Sequence, residues 1–177
     1  MTEATPRKYD PIVVSSESTV VAEYVPDAAG EGGYQSEAEL ERELIRLLKS
    51  QAYEYLPITS EAELIANLRT QLEALNEITF TDAEWAAFFS ERIAAANDGI
   101  REKTIRIQED HVQLLKREDG TTKNVRLLDK QNIHNNRLQV INQYAVGKGE
   151  GGAAYANRYD VTILVNGLPM VHIELKR

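Results

Sequence analysis

Three residues near the end of the 177-residue chain have the types and spacing to do chemistry together: Asp160, Glu174 and Lys176. Residues two apart in a strand share a face. Glu174 and Lys176 therefore project together, while Ile173 and Leu175 turn the other way. Asn166-Gly167, set between the apolar runs Tyr159–Val165 and Met170–Lys176, is a strong hairpin signal. A strict two-residue turn sets Asp160 opposite Ile173. One extra residue in the connection, which Pro169 permits, sets it opposite Glu174. Opposed Cβ atoms lie about 4.5–5.5 Å apart, so two carboxylates and an ammonium would converge on one patch. Carboxylates that close repel each other, and a divalent cation removes the repulsion. Hard oxygen ligands suit Mg²⁺, which keeps several waters and binds through one or two carboxylates plus phosphate oxygens. Such an ion polarises a phosphate and promotes ionisation of a bound water. Lys176 could orient the attacking water or neutralise charge on phosphorus. The set suits phosphodiester hydrolysis. The same E-x-K spacing is also that of a surface ion pair, worth about 0–1 kcal/mol.

The elements that must hold these groups are legible from caps and periodicity. Ser36-Glu37-Ala38-Glu39, Ser60-Glu61-Ala62-Glu63 and Thr81-Asp82-Ala83-Glu84 each open a predicted helix with a capping box. Acidic first turns also suit the helix dipole. Leu40, Leu44, Leu47 and Leu48 stripe the first helix. Leu64, Leu68, Leu72 and Leu75 stripe the second, and Trp85, Phe88, Phe89 and Ile93 the third. These stripes read as core. Asn97-Asp98-Gly99 should stop the third helix. Ile100–Glu109 is ambiguous between helix and strand. Val112–Lys116 and Val125–Asp129 flank Glu118-Asp119-Gly120 as a hairpin. Leu138, Val140, Asn142 and Tyr144 alternate with polar residues, apart from Ile141, and suggest a further strand. The glycine-rich run 147–152 lacks the G-x-x-x-x-G-K-[ST] pattern of a phosphate-cradling loop and reads as a mobile loop. Residues 1–33 read as an arm, with short strands at Ile12-Val13-Val14 and Thr19-Val20-Val21 interrupted by serine, proline and glycine. The remainder, 34–177, reads as one domain.

Composition narrows the class. Hydrophobic residues make up 42% and charged residues 27%, which suits a fold with a real core. No apolar run approaches the roughly 18 residues of a membrane span, and the start lacks the apolar core of a secretory signal. The chain has no cysteine and three histidines, so disulfides, thiolate sites and a His-rich zinc site are not expected. A cytoplasmic setting is the default. The net charge is −8, but it is unevenly spread. Residues 1–99 carry 7 Lys/Arg against 19 Asp/Glu, a net of −12, and residues 100–177 carry 13 against 9, a net of +4. A polyanion would meet the second half.

The run from Asn157 to Lys176, with its R-Y-D-V-T-I-L-V-N-G-L-P core, resembles the nuclease motif of type I restriction enzymes, in the N-terminal region of their R (restriction and translocation) subunit. Tyr34–Ile45, Asn67-Leu68-Arg69 and Asn135–Gln143 extend the resemblance over most of the chain beyond the arm. The resemblance implies an α/β (α+β) PD-(D/E)xK nuclease fold: a mixed sheet flanked by helices. It implies Mg²⁺-dependent double-strand cleavage of DNA by an ATP-driven complex with methyltransferase and specificity subunits. Asp160 and Glu174 would then be metal ligands and Lys176 the catalytic lysine. The wider fold often adds a first-helix glutamate. Glu41 is the candidate, with Glu37 and Glu43 as rivals. The family's R subunit continues into a Q-x-x-x-Y helix and two ATP-binding motor domains. This sequence stops at Arg177, so it reads as an N-terminal fragment, truncated after its E-x-K strand, with ATP chemistry belonging to the parent protein. Two other classes remain open. One is a non-catalytic module docking the motor onto a methyltransferase core or DNA. The other is a stand-alone nuclease from mobile DNA.

Overall fold

The structure, a computed structural model, describes residues 9–14, 20–24, 36–146 and 157–176. It divides into two units, Met1–Gln35 and Ser36–Arg177. In the first, strands β1 (Tyr9–Val14) and β2 (Val20–Tyr24) pair antiparallel. The predicted glycine loop at 147–152 lies outside the described residues.

The second unit runs α1 (Glu37–Ser50), β3 (Glu54–Tyr55), α2 (Glu61–Asn76), α3 (Asp82–Phe88), a π-helical turn (Phe89–Ile93), α4 (Ile100–Gln108), β4 (Val112–Lys116), β5 (Thr122–Arg126), β6 (Leu138–Val146), β7 (Asn157–Val165) and β8 (Leu168–Ile173). All three capping boxes form as the sequence predicts: Ser36 with Glu39, Ser60 with Glu63 and Thr81 with Glu84. The ambiguous stretch after Gly99 is helical. Helix α3 passes into the wider π turn and ends at Ile93, earlier than the Asn97-Asp98-Gly99 stop. The second arm of the predicted β4–β5 hairpin starts earlier, at Thr122, and ends at Arg126 rather than Asp129. Asp129 instead organises a loop. Its carboxylate accepts from the backbone amides of Gln131 and Asn132 and from the Asn135 side chain.

Strands β3, β6, β7 and β8 form a mixed sheet in that order, with β3 parallel to β6 and the other pairs antiparallel. Helices cover both faces, and because the sheet is mostly antiparallel the fold is of the α+β class. Leu44, Ile45 and Leu48 of α1 pack with Val140, Val161, Ile163 and Ile173. On the other face, Leu64 of α2 packs with Ile58, Ile141, Tyr144 and Leu164. Coverage on both sides explains why Val140 and Ile141, neighbours in sequence, are both fully buried. A third cluster joins α2 and α3 to the β4–β5 hairpin through Leu68, Leu72, Phe80, Trp85, Phe88, Leu115 and Val125.

The turn between β7 and β8 is anchored from all sides. Asn166 and Gly167 both take left-handed φ angles, 51° and 80°, as a type I′ turn demands. A Cβ on Gly167 would come within 2.6 Å of the Leu68 Cα, so glycine is required by contact as well as by φ. Asn166 is 1% exposed. Its amide nitrogen donates to the Arg137 carbonyl and its side-chain oxygen accepts from the Arg137 amide. Its side-chain nitrogen donates to the Leu127 carbonyl and to Asn136.

Candidate active site

The β7–β8 register is Val165↔Leu168 and Leu164↔Pro169 beside the turn, then shifts to Ile163↔Val171, Thr162↔His172 and Val161↔Ile173. Met170 is the additional residue. That bulge is the shift that pairing Asp160 with Glu174 requires, and the next step of the register beyond Val161↔Ile173 is Asp160 with Glu174. Regular β8 ends at Ile173, however, and Glu174–Lys176 continue as irregular chain rather than as strand.

Two contacts along this short stretch involve the three groups. The Leu175 backbone amide donates to Asp160 Oδ2 at 2.7 Å. This contact fixes the half-buried Asp160 against the segment between Glu174 and Lys176. Lys176 Nζ lies 3.4 Å from Glu174 Oε1, and their side chains are 76% and 64% exposed. At that exposure the pair contributes little to stability, so its presence has to be understood through chemistry or solubility. Asp160 keeps its second oxygen, and Glu174 its second, for other partners.

Glu41 is half-buried on α1, where its carboxylate accepts from the side chains of Asn142 at 2.5 Å and of Gln143. Glu37 is exposed. Glu43 is exposed too, and pairs with Arg46 at 2.6 Å. Among the described residues, no three His, Asp or Glu side chains gather closely enough to hold a metal ion on their own. The donor set nevertheless suits Mg²⁺, which takes one or two carboxylates and completes its shell with water and substrate oxygens.

Three further side chains adjoin this stretch, and the sequence analysis missed them. His172 stacks on Tyr159 with ring centroids 4.0 Å apart and 14° between planes. Its Nδ1 lies 3.0 Å from Thr162 Oγ1. Partial burial lowers the His172 pKa below its ordinary value. The signal available was alternation. Polar Thr162 and His172 interrupt apolar strands on paired positions, where a polar side chain has to find a partner.

Residues 34–177 match the family described as type I restriction enzyme R protein N terminus. The chain belongs to that family. It is 45% identical over 168 residues to the Type I restriction enzyme EcoprrI endonuclease subunit of Escherichia coli, covering 94% of this chain and 52% of that protein. It is 38% identical over 149 residues to the SsaAORF53P endonuclease subunit of Staphylococcus saprophyticus, covering 81% of this chain and 15% of the relative. The SauMSSORF170P endonuclease subunit of Staphylococcus aureus is 37% identical over 153 residues, again with 81% and 15% covered. The chain thus spans about half of one relative and a small share of the others. The family match includes α1, the whole mixed sheet and the Asp160–Lys176 stretch. Among the described residues, no helix of this R protein N-terminal region is long and apolar enough to cross a membrane.

Proposed function

We propose that this region is the endonuclease portion of a type I restriction R subunit and hydrolyses DNA phosphodiesters with Mg²⁺, giving double-strand breaks. One observation carries the reading: the Leu175 amide to Asp160 bond, which draws one acid onto the segment holding Glu174 and Lys176. Asp160 and Glu174 would hold the ion. Once bound, it would supply Lewis acidity toward a phosphate oxygen and lower the pKa of a coordinated water. Lys176, ion-paired with Glu174, is the chain's cation for the developing charge on phosphorus. Duplex DNA is the substrate, methyltransferase and specificity subunits are the partners, and a cytoplasmic setting follows from them. ATP-driven translocation is a property of the whole restriction protein, and no residue of these 177 is assigned to it.

The test is Lys176→Ala and, separately, Asp160→Asn, in the assembled restriction complex. Both should abolish cleavage while ATP-driven translocation continues. Undiminished cutting by either variant refutes the assignment. A rival reading, a non-catalytic docking module, draws on the exposure of Glu174 and Lys176, which is that of an ordinary surface ion pair. It predicts that the same variants cut normally, and that deleting residues 1–33 releases the region from its complex in a pull-down.

A further inference from the structure

Strand β6 breaks its own alternation beside the proposed site. Gln143 takes φ 56°, a left-handed conformation that costs a non-glycine residue roughly 1–2 kcal/mol. The consequence is visible in its neighbours. Asn142 and Gln143 follow one another in sequence, yet both side-chain amides reach the same Glu41 carboxylate. Tyr144 then packs in the cluster that holds Ile141 and Leu164. A regular strand would send residues 142 and 143 to opposite faces. The strained residue is what lets two consecutive amides meet one carboxylate.

The clamp is oriented as well as closed. Tyr55 of β3 donates its hydroxyl to Asn142 Oδ1 at 2.8 Å. That bond fixes which end of the Asn142 amide faces Glu41, namely the nitrogen. Three elements, β3, β6 and α1, thus converge on one carboxylate. Among the described residues, no Lys or Arg forms an ion pair with Glu41. The charge is held by neutral donors. A carboxylate has about four acceptor positions, and the two amides leave the others open. Gln143 also sits at the register position across from Asp160, between the pairs Asn142↔Val161 and Tyr144↔Tyr159.

We propose that Asn142 and Gln143 are positioning residues that hold Glu41 for the metal site of Asp160 and Glu174, where its carboxylate accepts a hydrogen bond from a water on the ion. The inference rests on the nuclease reading above. A water-mediated role agrees with the lack of a three-carboxylate cluster among the described residues and with the reluctance of Mg²⁺ to shed its waters. If the clamp only tethered α1 to the sheet, its loss would change stability and leave cation affinity alone.

The experiment titrates the purified chain with Mn²⁺ as the probe, followed by electron paramagnetic resonance, with circular dichroism to confirm folding. Gln143→Gly keeps the left-handed backbone accessible and deletes the amide. Asn142→Ala deletes the other arm and serves in its place if the glycine variant does not fold. Each should weaken Mn²⁺ binding about tenfold, the usual low end for a residue that orients a metal site from outside it. Glu41→Gln should do the same. Combined with Glu41→Gln, Gln143→Gly should add nothing, because the amide acts through the carboxylate. Wild-type Mn²⁺ affinity in the clamp variants, or additive losses in the double variant, overturns the proposal. If that happens while Asp160→Asn still abolishes binding, the nuclease reading stands without it. Unchanged binding by Asp160→Asn, or no binding by the wild-type chain, overturns both.

Discussion

The two ends of the β7–β8 hairpin are built on opposite terms. At the turn, Asn166 is buried and its backbone and side chain make four hydrogen bonds, while Gly167 touches the backbone of α2. At the open end, regular pairing stops at Ile173, Glu174 and Lys176 stand in solvent, and one amide holds Asp160. The closed end fixes where the ribbon goes. The open end leaves oxygens and an ammonium accessible. A site that admits a large polyanion needs the second condition and depends on the first to stay in place. Change at the turn should therefore cost stability, and change at the open end should cost activity.

The largest stability effect is expected for Gly167→Ala. Left-handed backbone and overlap with α2 together should cost about 3 kcal/mol, read as a drop in the urea midpoint. Asn166→Gly keeps the turn conformation but strands the Leu127 carbonyl and the Arg137 amide. About 2 kcal/mol should be lost by the same measurement. Asp129 belongs to the turn-end network through Asn136, which binds both the Asp129 amide and Asn166. Hydrogen bonds from the Asn132 amide first, and then the Asn135 side chain, hold the Asp129 pKa below the ordinary carboxylate value. A carboxyl depressed on folding adds stability above its unfolded pKa and loses it as pH falls through the folded value. Asp129→Asn should thus flatten the decline of stability below about pH 4, measured by urea unfolding at successive pH values. The smallest stability change is expected for Lys176→Ala, under about 0.5 kcal/mol, together with loss of cleavage in the complex. A large stability loss there would erase the contrast between the two ends.

What could be read from sequence follows the range of the interactions involved. The capping boxes at Ser36, Ser60 and Thr81 are complete within four residues, and all three form. Asn166-Gly167 announces its own turn for the same reason. The bulge at Met170 was visible only as a possibility opened by Pro169, because register is decided by packing on both faces of the sheet. The π turn after Phe88 has no local marker. Around it Trp85 and Phe88 lie against Phe80, and Phe89 against Trp85, contacts that no short sequence pattern announces. The buried bonds of Asn166 reach 29 to 39 residues along the chain, beyond any local pattern. Of the candidate site, Asp160, Glu174 and Lys176 were legible as types at a spacing. Glu41 could be picked out on its helix, but its partners Asn142 and Gln143 were not legible, since a left-handed glutamine inside a strand contradicts its own propensity.

The ion pair between Lys176 and Glu174 has an electrical consequence. Together with Asp160, which the Leu175 amide holds, the pair makes two acids and one base, a formal charge of −1 that the proposed Glu41 would take to −2. A divalent cation bound there would bring the sum to +1 without Glu41 and to zero with it. The same few side chains would thus repel an anionic strand when empty and lose that repulsion when loaded.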